Sequence, residues 1–246
     1  MKSRTSKALV TGAAARIGAA VARTLHARGC DVLVHCNASL DRATALAHEL
    51  NTLRPRSAAV VSADLSQPEG VARLVEAGLA FAGQLDVLVN NASRFYPTVV
   101  GETAPFQWDD LVNSNLRGPY FLCQGLLQPL RKAQGAIINI LDVHAGRPMK
   151  GHAVYCIAKA GLQMMTLALA KELGPLIRVN GIAPGAILWP EHEGDEAVRQ
   201  AILARTALQR LGGVADIASA VAYLALDAPY VTGQVLAVDG GRSLNL

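Results

Sequence analysis

Seven short runs rich in apolar residues recur along the chain: Lys7–Val10, Asp31–Cys36, Ser57–Ser62, Asp86–Val89, Gly135–Leu141, Ile177–Ile182 and Gln234–Val238. Runs this continuous mark strands buried on both faces, as in a parallel sheet. Between them the apolar positions fall three and four apart, the helical repeat. That spacing predicts helices over Ala19–Arg28, Asp41–Leu53 (Leu46, Leu50 and Leu53 on one face), Gln67–Gly83, Phe106–Arg131, Ala153–Leu173 and Ala215–Leu226. Pro68 suits the first position of its helix, and Gly118-Pro119 predicts a bend in the long one. From Ala186 to about Leu211 the pattern is irregular and rich in charge. The alternation predicts a single α/β domain over residues 1–246, a doubly wound parallel sheet of seven strands in the order 3-2-1-4-5-6-7. Ligands of such sheets bind at the carboxyl ends of the strands, near the switch between strands 1 and 4.

Composition narrows the picture. The 246 residues are 51% hydrophobic and 17% charged, enough for a sizeable core. A net charge of +4 suits a small anionic ligand, and no basic run exceeds two residues, which argues against a nucleic-acid partner. Cys30, Cys36, Cys123 and Cys156 form no C-x-x-C pair and read as buried free thiols. No cluster has metal-ligand spacing. No signal peptide is visible and no apolar run reaches membrane-span length, so the expectation is a soluble cytoplasmic protein with no membrane partner.

The chemistry begins at Thr11–Gly18, read T-G-A-A-A-R-I-G. A strand, a glycine turn and a helix N-terminus make a phosphate site, because unpaired N–H groups and the positive dipole end face the anion. Gly12 and Gly18 fit a dinucleotide-binding turn of Rossmann type, and Arg16 stands where a third glycine is common. An NAD site carries an acidic residue about 20 positions on, for the ribose 2′-hydroxyl. Here the second strand runs into His35, Asn37 and Ser39, with no carboxylate before Asp41. Neutral donors and a cation accommodate a 2′-phosphate, so the cofactor expected is NADPH/NADP, with Arg16, His35, Asn37 and Ser39 around the phosphate.

Tyr155 and Lys159, four apart, share one face of a predicted helix. An ammonium beside a phenol stabilises phenolate and draws its pKa from about 10 towards neutrality. Such a tyrosine can act as general acid while hydride arrives. With these residues in hand, the chain resembles the short-chain dehydrogenase/reductase family over its full length. The matching pieces are the glycine turn, Asp64-Leu65, N-N-A-S at Asn90–Ser93, Asn115 in N-L-R-G-P-Y-F, Y-C-I-A-K at Tyr155–Lys159, Pro184-Gly185 and V-D-G-G at Val238–Gly241. The resemblance implies a hydride-transferring enzyme, a homotetramer, with Asn115, Tyr155 and Lys159 in a proton relay. It also implies that Gly12, Ile17, Gly18, Asp64, Leu65, Asn91, Ala92, Ser93, Pro184, Gly185 and Ile187 line the cofactor, and that Tyr155 and Lys159 hold its nicotinamide end. Asp64 alternatively caps a turn.

One departure is informative. The family places a serine thirteen residues before the tyrosine, and here that position is Asp142. An ionised carboxylate accepts hydrogen bonds and repels a carbonyl oxygen, which suits a substrate presenting N–H groups; a protonated one could instead donate. Asp142, Arg16 and the stretch Ser93-Arg94-Phe95-Tyr96-Pro97-Thr98 resemble the pteridine reductase branch. That branch implies reduction of pterins, and of folates, with Phe95 stacking on the bicyclic ring, Ser93 and Arg16 touching its heteroatoms, and Asp142 binding the amino edge or assisting Tyr155. Its phosphate-contacting arginine after the second strand is missing, since Ala38 stands there. Residues 187–211 are expected to form a substrate lid, with Leu188 and Trp189 walling the pocket. His144 and His152 read as loop hydrogen-bond partners. The competing readings are a carbonyl reductase, of a 3-oxoacyl thioester for example, and a nucleotide sensor without turnover, which would need no proton relay.

Overall fold

The computed structural model describes residues 5–187 and 196–245. Seven strands lie parallel in one sheet: β1 (Lys7–Val10), β2 (Asp31–Cys36), β3 (Ala58–Ser62), β4 (Val87–Asn90), β5 (Ala136–Ile140), β6 (Arg178–Pro184) and β7 (Val235–Val238). Their order is β3-β2-β1-β4-β5-β6-β7, as the apolar runs predict. The register explains why alternation is invisible in the sequence: both faces are covered. Leu9 pairs beside Leu33 and Leu88, and Leu88 beside Ile137, making one apolar row. Val10, Val34, Val89 and Ile138 make the row on the other face.

The second row packs under α1 (Arg16–Ala27), α2 (Leu40–Leu53) and, across the sheet, α9 (Val214–Ala222). The first packs under α3 (Pro68–Phe81), α5 (Gly118–Gly125) and α7 (Ala153–Leu173). Each fully buried leucine contributes about 1.5–3 kcal/mol, so the two layers hold the strand ends in fixed relation. All four cysteines are free and buried.

The helix expected over Phe106–Arg131 is not continuous. It comprises α4 (Pro105–Val112), a π-helical turn over Asn113–Arg117, α5, and α6 (Leu127–Ala133) after a break at Leu126. The physical reason is Pro119, which lacks the N–H that α-geometry would send to the Asn115 carbonyl. The widened turn absorbs that defect, and such turns gather at functional sites. Likewise the helix expected to reach Leu226 gives way to a π-turn over Tyr223–Asp227. α7 also corrects the expectation about span-length runs: its 21 residues are long and apolar enough to cross a membrane, although half of that stretch is buried inside this fold. The expected lid contains α8 (Glu196–Ala204), and Ile187 bridges to Gly212 at its base.

Candidate active site

The carboxyl ends of β1, β2, β3 and β4 open into a cleft of about 540 Å³, within the usual range for ligand pockets. Its floor is the β1–α1 turn. Thr11 Oγ1 accepts the backbone N–H groups of Asn91 and Ala92 at 2.8 and 2.9 Å. The Asn91 amide returns two bonds, to the carbonyls of Thr11 and Gly12. The tight packing of this turn needs bare backbone, and the glycines supply it. A Cβ on Gly12, whose φ is +61°, would stand 2.9 Å from Ala92 Cα, and one on Gly18 would stand 2.2 Å from the Gly12 carbonyl oxygen. No side chain caps the start of α1, so its first N–H groups face the cleft as an anion site. The residues present fit a bound dinucleotide.

Arg16 takes the slot of the third glycine and keeps the backbone a glycine would have, with φ 49°. That conformation costs a non-glycine residue roughly 1–2 kcal/mol. Its exposed guanidinium reaches the Ile187 carbonyl at 3.4 Å, tying the turn to the base of the expected lid. Ile17, Asn37 and Leu65 line the cleft with it. Ser39 is exposed at the start of α2, where its side chain makes no capping bond. Pro184 and Gly185 close the end of β6, with Gly185 N–H bonded to the Val238 carbonyl at 3.1 Å.

His35 departs from expectation. It is 1% exposed; Nδ1 accepts from Gly12 N–H at 3.1 Å and Nε2 donates to the Ala63 carbonyl at 2.9 Å. Burial pushes its pKa down to about 4, against a small upward pull from the Ala63 bond. A neutral ring with both nitrogens engaged has no donor left for a phosphate; it braces the glycine turn instead. Asp64 does what its alternative reading held: Oδ1 accepts from Ser66 N–H and Oγ, capping a turn. Oδ2 pairs with Arg94 at 2.9 Å. Burial raises the Asp64 pKa, but the Ser66 bonds and Arg94 outweigh it, and the carboxyl lies below its ordinary value.

Beyond Phe95, which lines the cleft and touches Tyr155, the end of β5 leads to Asp142 and α7 delivers Tyr155 and Lys159. The Tyr155 hydroxyl donates to Asp142 Oδ2 at 2.8 Å, and His144 N–H donates to Oδ1 at 2.9 Å, so both carboxylate oxygens act as acceptors. Lys159, only 2% exposed, donates to the Ile140 carbonyl at 3.0 Å and lies 5.7 Å from the Tyr155 ring centroid. Burial lowers the Lys159 pKa to about 8, with Asp142 opposing. The phenol is not drawn towards neutrality as expected. Burial, and after it the charge of Asp142, raise its pKa well above the ordinary value, so the hydroxyl is held protonated.

Asn115 is fully buried in the π-turn. Its amide donates to the carbonyls of Arg94 and Leu111 at 2.9 and 3.0 Å, and its oxygen accepts from Ser93 Oγ at 2.7 Å. It therefore fixes the loop after β4 that carries Phe95. Phe95 is 54% exposed and meets Tyr155 edge-on at 4.8 Å. Asp142, Tyr155 and Phe95 are thus brought to one point, while Leu188 and Trp189 lie outside the described residues. Three residues take roles that the sequence motifs do not assign. Arg94 bridges Asp64 and Asp110, and Tyr96 Oη donates to the same Asp110 at 2.9 Å. Ser114 lines the cleft from the π-turn. Arg94 pairs with distant acids, which no local spacing reveals. Among the described residues no group of acidic, His and Cys side chains could hold a metal.

Comparison with known proteins agrees with this geometry. A family model described as enoyl-(acyl carrier protein) reductase matches residues 12–243. Pteridine reductase 1 of Leishmania tarentolae is 36% identical, the match covering 96% of each chain. The 3-oxoacyl-(acyl-carrier-protein) reductase FabG of Staphylococcus aureus is 35% identical over 96% of this chain and 98% of its own. With its sheet order, glycine turn and Tyr155–Lys159 pair, the chain belongs to the short-chain dehydrogenase/reductase family of oxidoreductases.

Proposed function

We propose that the protein reduces pterins with NADPH. The observation that carries this reading is the bond from the Tyr155 hydroxyl to Asp142 Oδ2 beside the exposed ring of Phe95. A carboxylate at this point repels the oxygen of a plain ketone and attracts the N–H and amino edge of a pterin. The half-open face of Phe95 suits a flat heterocycle. When bound, NADPH supplies the hydride, which goes to the carbon of a ring C=N bond. Tyr155 delivers the proton to the neighbouring nitrogen, leaving one N–H and one C–H where the double bond was. Asp142 orients the hydroxyl, and Lys159, through its buried ammonium, meets the negative charge left on the phenol. NADPH over NADH is supported by Arg16 sharing the cleft with the neutral Asn37, and by the lack of a carboxylate between His35 and Ser39.

A second reading is reduction of a 3-oxoacyl thioester, favoured by the similar identity to the staphylococcal reductase. Oxidation of NADPH with dihydrobiopterin, dihydrofolate and acetoacetyl-CoA separates the two. Turnover of the pterin or folate is expected; turnover of the thioester alone refutes the pterin reading. The exposed apolar faces at Phe106, Tyr120 and Phe121, and at Met164 and Leu167 on α7, support a homotetramer, for which light scattering should give four times the chain mass. The buried free thiols fit a cytoplasmic setting.

A further inference from the structure

We infer that His152 is a positioning residue for the substrate, acting through Phe95, whose ring it clamps at the mouth of the cleft. The inference rests on the proposed flat heterocyclic substrate. The His152 and Phe95 rings lie parallel, with centroids 4.7 Å apart and planes 10° from one another. Tyr155 closes on Phe95 edge-on at an interplanar angle of 80°. Phe95 is therefore held on one face by an imidazole and along another side by the phenol, yet 54% of it remains exposed.

The imidazole is itself anchored. Nδ1 donates to the Lys150 carbonyl at 3.1 Å, which fixes the ring plane. Its backbone is tied to the Phe95 loop: Thr98 pairs with His152 in an isolated bridge, Thr98 N–H bonds to the Gly151 carbonyl at 2.6 Å, and Val154 N–H donates to Thr98 Oγ1 at 3.3 Å. Loop and helix start thus move as one piece. What these backbone bonds leave open is the rotamer of Phe95, because an exposed aromatic side chain turns freely. A parallel ring at stacking distance removes that freedom. The platform is ordered before the substrate arrives, so binding costs less.

The test is His152→Ala beside His152→Phe, each with dihydrobiopterin and NADPH. For His152→Ala the KM for the pterin is expected to rise about 2- to 10-fold, the span of one aromatic pair, with kcat within about twofold and NADPH affinity unchanged. His152→Phe keeps a stacking ring and should restore the wild-type KM. An unchanged KM in His152→Ala, or a His152→Phe variant no better than His152→Ala, overturns the inference. A readout independent of substrate is the NMR signal of the His152 ring protons. They should lie upfield in the wild type and move back in Phe95→Leu; no upfield shift overturns the clamp. A wild type that turns over only thioesters, with the shift present, refutes the pterin reading and leaves the ring stack standing.

Discussion

The two ends of the cleft use their side chains in opposite ways. At the nucleotide end, Thr11, His35 and Asn91 all turn inward and bond to backbone groups. What they leave facing the ligand is main chain: the bare glycine turn and the start of α1. At the other end, Asp142, Tyr155, Phe95 and His152 bond or stack with one another, and Phe95 lines the opening. In the proposed function, the first end would recognise a phosphate by dipoles that many sequences could supply, and the second would recognise a substrate by the identity of a few side chains. A substitution at the first should act on the fold or on the choice of cofactor, and one at the second on turnover or on substrate KM.

The largest expected effect lies at the substrate end. Tyr155→Phe removes the only assigned proton donor, and kcat should fall about 1,000-fold, within the range of general acid catalysis. NADPH affinity by fluorescence titration should barely move; unaltered turnover would refute the assigned acid. Next is Asp142→Ser, which restores a neutral hydroxyl donor at the position where the family carries serine. Pterin kcat/KM should drop on the order of 100-fold, the effect of losing about 3 kcal/mol of charged hydrogen bonding, while thioester turnover rises. A variant that keeps full pterin activity would detach Asp142 from substrate choice.

At the nucleotide end, His35 makes the fold sensitive to acid. Its folded pKa, pushed down to about 4 by burial, lies below the model-peptide value of 6.5. The unfolded chain therefore binds the proton more readily. Stability should be intact above pH 6.5 and fall as pH drops towards 4, by about 3 kcal/mol for that 2.5-unit difference. His35→Asn keeps an acceptor for Gly12 N–H, and melting curves across this window should lose that part of their slope. The smallest effect is expected for Arg16→Gly. It relieves the positive φ, so thermal stability should hold or rise, while NADPH affinity weakens about 10-fold and NADH affinity stays put. Equal weakening for both cofactors would contradict a contact to the 2′-phosphate.

Legibility followed the same division. The glycine turn and the helical spacing of Tyr155 and Lys159 are local patterns, and each appears in the structure as a local unit. The π-turn at Asn115 was not anticipated, although Pro119 carried its signal: a missing N–H one helical turn on. The bracing of His35 could not be read, because its partners Gly12 and Ala63 lie on other segments. The role of Arg94 is hidden for the same reason, since its partners Asp64 and Asp110 come from different parts of the chain. The raised pKa of Tyr155 went the other way from expectation because helical spacing reports the neighbouring lysine but not the carboxylate that reaches the hydroxyl from β5.

The chain's own order of apolar runs and glycines determined the sheet, its strand order and the glycine turn between β1 and α1, because hydrophobic periodicity and backbone freedom act over a few residues at a time. Only the tertiary structure decided which polar groups are spent holding backbone and which remain to meet a ligand. That allocation depends on distances between segments far apart in sequence, and on burial, which lowers the pKa of His35 and of Lys159 once the layers close over them.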